Sequence, residues 1–170
     1  NATVSAVGLS IDDTSIAFGS GYFTPSCGLT YAYINSNLSR NCWTNTTVFL
    51  DAEDVHLISN NGTAAANVTA TVQTLDAETL FCGSSGGCTL TNDALISIST
   101  ANSEASSCTG LATGFNNLST YNSNMTAALC NSLSSSDASD QIKTYVSMQI
   151  PKDITTGAKS LVIVYEAIAA

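Results

Sequence analysis

Near the C-terminus, Ile142–Ile150 alternates so strictly that the local conformation is almost fixed. Ile142, Thr144, Val146, Met148 and Ile150 fall on one face, and Lys143, Tyr145, Ser147 and Gln149 on the other. A period of two places successive side chains on opposite faces of a strand, so this run predicts a strand with one face buried. Pro151 closes it, and Thr155-Thr156-Gly157 supplies a turn. The next run, Leu161–Ile168, is apolar on both faces through Leu161, Val162, Ile163, Val164, Tyr165 and Ile168. It predicts a central strand covered on both sides.

Further strands are expected at Val4–Ile11, Ser15–Phe18, Leu29–Ile34, Thr46–Leu50, Val55–Ser59, Asn67–Leu75 and Leu95–Thr100, all rich in β-branched residues. Short strands separated by polar turns define an all-β fold, an antiparallel β-sandwich of jelly-roll or immunoglobulin-like type. Residues 101–140 depart from this rhythm. They are rich in Ser and Asn and carry two cysteines, which predicts a long disulfide-pinned loop insertion with a short helix near Met125–Leu133. There is no internal repeat and no second globular domain in the pattern.

Six cysteines, Cys27, Cys42, Cys82, Cys88, Cys108 and Cys130, are an even set without a CxxC pair. With a single histidine, His56, they favour three disulfides over a zinc site. Cys82 and Cys88 flank Gly83-Ser84-Ser85-Gly86-Gly87, a flexible loop able to bring them together. Sequential pairing suggests Cys27 with Cys42 and Cys108 with Cys130. Disulfides imply an oxidising compartment outside the cytoplasm.

The charge pattern agrees. Charged residues make up 10% of the chain and apolar residues 44%, with 13 acidic against 4 basic side chains. Disorder is excluded by the hydrophobicity, and nucleic-acid binding by the lack of Lys/Arg patches. Polarity comes instead from Ser, Thr and Asn. Sequons of the form Asn-X-Ser/Thr begin at Asn1, Asn37, Asn45, Asn61, Asn67, Asn117 and Asn124. They predict N-linked glycans on an extracellular, cell-surface protein. No apolar run reaches the length of a bilayer span, and a chain opening on Asn1 rather than Met is expected to have lost a signal peptide.

No catalytic constellation stands out. Gly83-Ser84-Ser85-Gly86-Gly87 fits G-x-S-x-G, and the order His56, Asp76, Ser85 is that of chymotrypsin-like proteases, but His56 sits in Asp54-Val55-His56-Leu57 and no histidine follows Ser85. Asp12-Asp13 and Asp51, Glu53, Asp54 are acidic clusters without calcium-loop spacing. No metal, cofactor or enzymatic activity is expected. A glycan- or Ca²⁺-binding adhesin or surface-layer module is the alternative to a purely structural role.

The two ends of the chain carry a resemblance. Asn1–Ile11 with Ser15-Ile16-Ala17-Phe18-Gly19, and Ile150–Tyr165, together with the Ser/Thr/Asn-rich body, resemble the secreted β-sandwich filament subunits of the TasA-like type, among them archaeal bundling pili and glycosylated archaeal threads. The resemblance implies polymerisation by donor-strand complementation, in which residues 1–11 of one copy complete the sandwich, residues 12–170, of the next. Val4, Ala6, Val7, Leu9 and Ile11 would be the apolar donor residues, and residues 1–11 hold no charge. Main-chain hydrogen bonds supply affinity and side-chain pockets supply register. A head-to-tail interface of this kind gives an open filament with a role in adhesion or biofilm, its partners being further copies of the same chain.

Overall fold

The computed structural model describes residues 6–47, 52–73, 75–89 and 93–170. Its elements in chain order are β1 (Leu9–Asp12), β2 (Gly21–Phe23), β3 (Tyr31–Asn35), β4 (Arg40–Asn41), β5 (Trp43–Asn45), β6 (His56–Asn60), β7 (Ala66–Val72), α1 (Ala77–Cys82), β8 (Leu95–Asn102), β9 (Cys108–Leu111), β10 (Asn116–Ser119), β11 (Ala127–Leu133), β12 (Gln141–Pro151) and β13 (Ile163–Ala169). All strand pairs are antiparallel. The fold is an all-β sandwich, as the alternation requires.

The strand with the strictest alternation organises the molecule. On one side β12 pairs with β8 from Ile142 to Gln149. On the other it pairs with β6 over Gln141–Thr144 and then with β3 over Ser147–Pro151. Ser36, fully buried, stitches the junction between these two partners: its N–H donates to the Val146 carbonyl and its Oγ accepts from the Val146 N–H at 3.1 Å. A buried main-chain pair left unmet there would cost free energy comparable to a lost hydrogen bond. β10 extends this first sheet beyond β8, β4 extends it beyond β3, and β1 beyond β6.

The second sheet runs β13-β7-β11-β9. β7 alternates without a break, burying Ala66, Val68, Ala70 and Val72. These pack toward Ile58, Ile96, Ile98 and Ile142 of the first sheet in one core. Each of the Val and Ile side chains contributes about 1.5–3 kcal/mol by leaving water.

Several expectations need correction. Residues 101–140 are not a loop insertion with a helix; they form β9, β10 and β11, joined by the Cys108–Cys130 disulfide. Within Met125–Leu133, Ala127–Leu133 is strand because its residues pair on both sides, with β7 and β9. Ser15–Phe18 is extended but belongs to no ladder, although Ile16 and Phe18 pack on the core. Part of Thr46–Leu50 lies outside the described residues, and strand β5 precedes it. β13 is an edge strand, not a central one. The helix α1 was unforeseen. Asp76 caps it, accepting from Thr79 N–H at 2.8 Å, and Gly83 ends it in the left-handed region that favours glycine.

The segment expected to serve a neighbour also has a place at home. Leu9 pairs with Asn60 and Ile11 with Ile58, and the turn after β6 adds bonds from Asn61 N–H to Gly8 O and from Thr63 N–H to Ala6 O. Leu9–Asp12 are thus an edge strand of their own sheet, and residues 6–8 run beside the turn after β6. Val4 lies outside the described residues. The turn can approach this closely because residue 62 is glycine; a Cβ there would meet the Ala6 carbonyl.

Candidate functional site

A cleft of about 1130 Å³ opens over the half of the first sheet built from β3 and the end of β12. Its floor is Ile34, Val146, Met148 and Ile150. Two long segments form its walls, residues 14–23 and residues 154–163, and Leu80 and Phe81 of α1 close one end. Among the lining residues only Ile163 belongs to the second sheet. Over β3 the cleft is lined not by the second sheet but by β2, by Trp43 of β5 and by the two wall segments.

β13 borders this cleft. It pairs with β7 along its whole length, from Ile163 opposite Val72 to Ala169 opposite Ala66, and no strand among the described residues pairs with its other edge. The effect on burial is direct. The inward residues of β7 are almost wholly enclosed, whereas Ile163, Tyr165 and Ala167 of β13 are only half-buried. Val162 and Ile168 are the most exposed aliphatic side chains described, at 53% and 68%. A free, apolar edge of this kind is a template for pairing with another strand.

Polar groups mark the cleft's inner wall. His56 on β6 is nine-tenths buried, and its Nδ1 lies 2.7 Å from the Tyr165 hydroxyl, which is itself 3.0 Å from Thr144 Oγ1. Burial pushes the Tyr165 hydroxyl up to about 12, so it stays protonated. Burial also lowers the His56 pKa, against the opposing pull of Asp13 and Asp54. The imidazole is thus neutral at pH 7. Among the described residues His56 Nε2 has no hydrogen-bond partner, nor has Trp43 Nε1; both nitrogens are buried, and both residues line the cleft. Trp43 fits because residue 21 is glycine: a Cβ there would collide with the indole.

The other sequence candidates are dispersed. Ser85 lies in the turn closed by the Cys82–Cys88 disulfide, and the imidazole of His56 is engaged by Tyr165, so the two are not joined by any hydrogen bond. The buried Glu78 carboxylate organises that turn, accepting from the N–H groups of Gly86 and Cys88 at 2.8 and 3.3 Å. Of the acidic clusters, Glu53 pairs with Lys143 at 2.8 Å and Asp54 accepts from Ala17 N–H at 3.0 Å, while Asp51 lies outside the described residues. The Lys143 bond is also the main reason that the Glu53 carboxyl titrates below its ordinary range. The third disulfide is Cys27–Cys42. Three disulfides fit a secreted or extracellular protein, and no helix among the described residues is long and apolar enough to cross a membrane.

Among the sequons, Asn37, Asn61, Asn117 and Asn124 are exposed. Asn67 sits half-buried on β7. Asn45 departs from expectation: its Nδ2, the atom that would carry a sugar, is buried, and its Oδ1 accepts from Arg40 Nη1 at 3.0 Å. A glycan has no room there in this fold. Asn1 is outside the described residues.

No protein-family model, curated protein or solved structure matches this chain.

Proposed function

We propose that this chain is a structural, non-enzymatic subunit of an extracellular glycosylated filament, in which residues 1–11 of one copy complete the sandwich of the next. The free edge of β13 beside the apolar cleft carries this reading. A strand added there gains main-chain hydrogen bonds from β13 and covers the floor residues Ile34, Val146, Met148 and Ile150. Segment 1–11 suits that place, being uncharged and bearing Val4, Ala6, Val7, Leu9 and Ile11.

The strand must first leave its own sheet. There it is held by a ladder of four residue pairs along one edge, with Val7, Leu9 and Ile11 only half-buried. The cleft encloses such side chains more fully. Burying on the order of 500 Å² of apolar surface there contributes about 12 kcal/mol as an upper bound relative to a solvated strand, from which the burial and ladder lost at home are subtracted. Because donor and acceptor surfaces lie on different parts of the molecule, the contact is heterologous and the assembly stays open.

Negative-stain microscopy of the purified chain tests this. Filaments are expected from the intact chain, and soluble monomers from a chain lacking Asn1–Ser10. Discrete monomers at every concentration from the intact chain, or normal filaments from the truncated one, would end the proposal.

A further inference from the structure

The edge of β13 and segment 1–11 match in their main-chain groups as well as in their side chains. Ala170 N–H donates to the Ala65 carbonyl at 2.9 Å and Gln73 N–H to the Val162 carbonyl at 3.1 Å, in one continuous register with β7. The even-numbered residues of β13 therefore turn their main-chain groups toward β7, and Ile163, Tyr165 and Ala167 turn theirs toward the free edge. The side chains of these three pack on the core, whereas Ile168, on the opposite face, is 68% exposed. Segment 1–11 has the corresponding half. At home Asn61 N–H donates to Gly8 O and Thr63 N–H to Ala6 O, so its even-numbered residues face β6 and the following turn. Val7, Leu9 and Ile11 turn their main-chain groups the other way. In an antiparallel pair, residues that exchange hydrogen bonds are directly opposed and share a face. Val7, Leu9 and Ile11 thus bond to the β13 edge when their side chains point inward beside those of Ile163, Tyr165 and Ala167.

We infer that segment 1–11 of a second copy runs antiparallel to β13 in a single register, with Leu9 opposite Ile163, Val7 opposite Tyr165 and Val4 opposite Ile168. This rests on the assembly reading above. Ile11 then falls opposite Leu161, which lines the cleft as Ile163 does, so the two largest apolar side chains of the segment reach the cleft end of β13. The apolar positions of the segment change parity between Ala6 and Val7. This register uses the change: Val7, Leu9 and Ile11 point inward, and Val4 points outward onto Ile168. Ala6 falls opposite Glu166, and the first acidic residue, Asp12, lies beyond β13, opposite Ser160. A slip of two residues keeps every side chain on its face but loses these matches. In one direction Val4 meets Glu166 and Ile11 meets Lys159; in the other Asp12 meets the exposed Val162.

Disulfide trapping between copies reads the register. Directly opposed residues of the non-hydrogen-bonded type, as Val4 and Ile168 would be, have Cα atoms about 4.5 Å apart, within reach of a disulfide. Diagonal neighbours, two residues off, are about 7–8 Å apart and out of reach. Full-length copies carrying Val4→Cys are mixed with copies carrying Ile168→Cys and assembled under mild oxidation. A covalent dimer on a non-reducing gel, its crosslinked peptide identified by mass, is expected from this mixture. None is expected from Ala6→Cys with Ile168→Cys, or from Val4→Cys with Glu166→Cys. Where the cysteines themselves hinder assembly, a charge pair reads the same contact. Ile168→Lys changes a side chain that is 68% exposed, so the monomer should keep its melting temperature while filament yield drops. Val4→Glu in the same chain should recover that yield. Filaments that crosslink only through an offset mixture, or through none of the three, would overturn the register and leave the assembly reading standing, as would recovery by Ala6→Glu in place of Val4→Glu. If the intact chain forms no filaments, both fall together.

Discussion

Tyr165 and His56 meet edge to face across the two sheets, ring centroids 5.7 Å apart and planes at 89°, with 2.7 Å between the hydroxyl and Nδ1. Tyr165 is on the edge strand β13, and His56 is on β6 in the facing sheet. This pair, with Thr144, is the polar tie that holds β13 down where no outer strand supports it. Tyr165→Phe keeps the ring and deletes the tie, leaving His56 Nδ1 and Thr144 Oγ1 without their shared partner. A loss of about 1–3 kcal/mol in unfolding free energy is expected from urea titration. An unchanged midpoint would show that the hydroxyl adds nothing to the sandwich.

The same histidine sets a pH response. Its folded pKa lies below the ordinary value of 6.5 because burial disfavours the cation. As the pH falls below that value the unfolded chain takes up a proton first, so stability present above pH 6.5 declines as acid approaches the lowered folded pKa. Melting temperature measured between pH 8 and pH 5 should fall on the acid side, and His56→Gln should flatten that slope. An equally steep fall in the variant would assign the effect to carboxylates instead.

Two acidic residues should respond very differently to removal. Glu78 is almost fully buried and satisfies two main-chain N–H groups of the Cys82–Cys88 turn. Glu78→Ala leaves the Cys88 N–H buried and unmet and takes the acceptor from the exposed Gly86 N–H, at an expected loss of about 1–3 kcal/mol. Glu53 forms an exposed pair with Lys143, their side chains 42% and 26% accessible, and Glu53→Ala should cost less than about 1 kcal/mol. Denaturant midpoints of the two variants side by side test the ordering, and equal losses would contradict it.

These contrasts bear on what the sequence could and could not convey. β12 was legible because its alternation matches its burial from Gln141 to Val146; beyond that Ser147, on the polar face, is buried and Met148, which lines the cleft, is only half-buried. β11 was misread as helical because Ala127-Ala128-Leu129 suits a helix; pairing with β7 and β9 overrides that local preference. β13 reads as a central strand because both its faces are apolar, yet within this chain one of its edges is free. α1 carried its signals openly, Asp76 before it and Gly83 after it, but six residues are too few for a helical period to show. The short loop between Cys82 and Cys88 made their pairing legible, while the other two disulfides join residues 15 and 22 positions apart, a spacing that selects no partner by itself. The cleft was not legible at all. Its walls come from residues 14–23 and 154–163, which only the closed sandwich brings together.

Surface exposure sorts the sequons into an ordered test. In a host that attaches N-glycans, enzymatic deglycosylation converts each modified Asn to Asp, which peptide mass spectrometry reads. Conversion is expected at Asn37, Asn61, Asn117 and Asn124, whose side chains are exposed, and not at Asn45, whose Nδ2 is buried. Full conversion at Asn45 in folded protein would mean that β5 packs differently from the arrangement described.

The proposed exchange of segment 1–11 demands that β1 be able to leave β6, and that step can be blocked. Ser10 and Ser59 are opposed in the β1–β6 ladder. Opposed residues of this type have Cα atoms about 5.5 Å apart, within reach of a disulfide. Ser10→Cys with Ser59→Cys should therefore pin the strand to its own sheet without touching β13 or the cleft. The control is Ser10→Ala with Ser59→Ala, which removes the same hydroxyls, including the one that accepts from Gln141 Nε2, and adds no crosslink. Comparing these two variants avoids reductant, which would also attack the three native disulfides. Sedimentation and microscopy should find the crosslinked chain monomeric and the alanine control in filaments. A crosslinked chain that polymerises as readily as the control would show that the leading strand stays at home during assembly, and that copies join through some other surface.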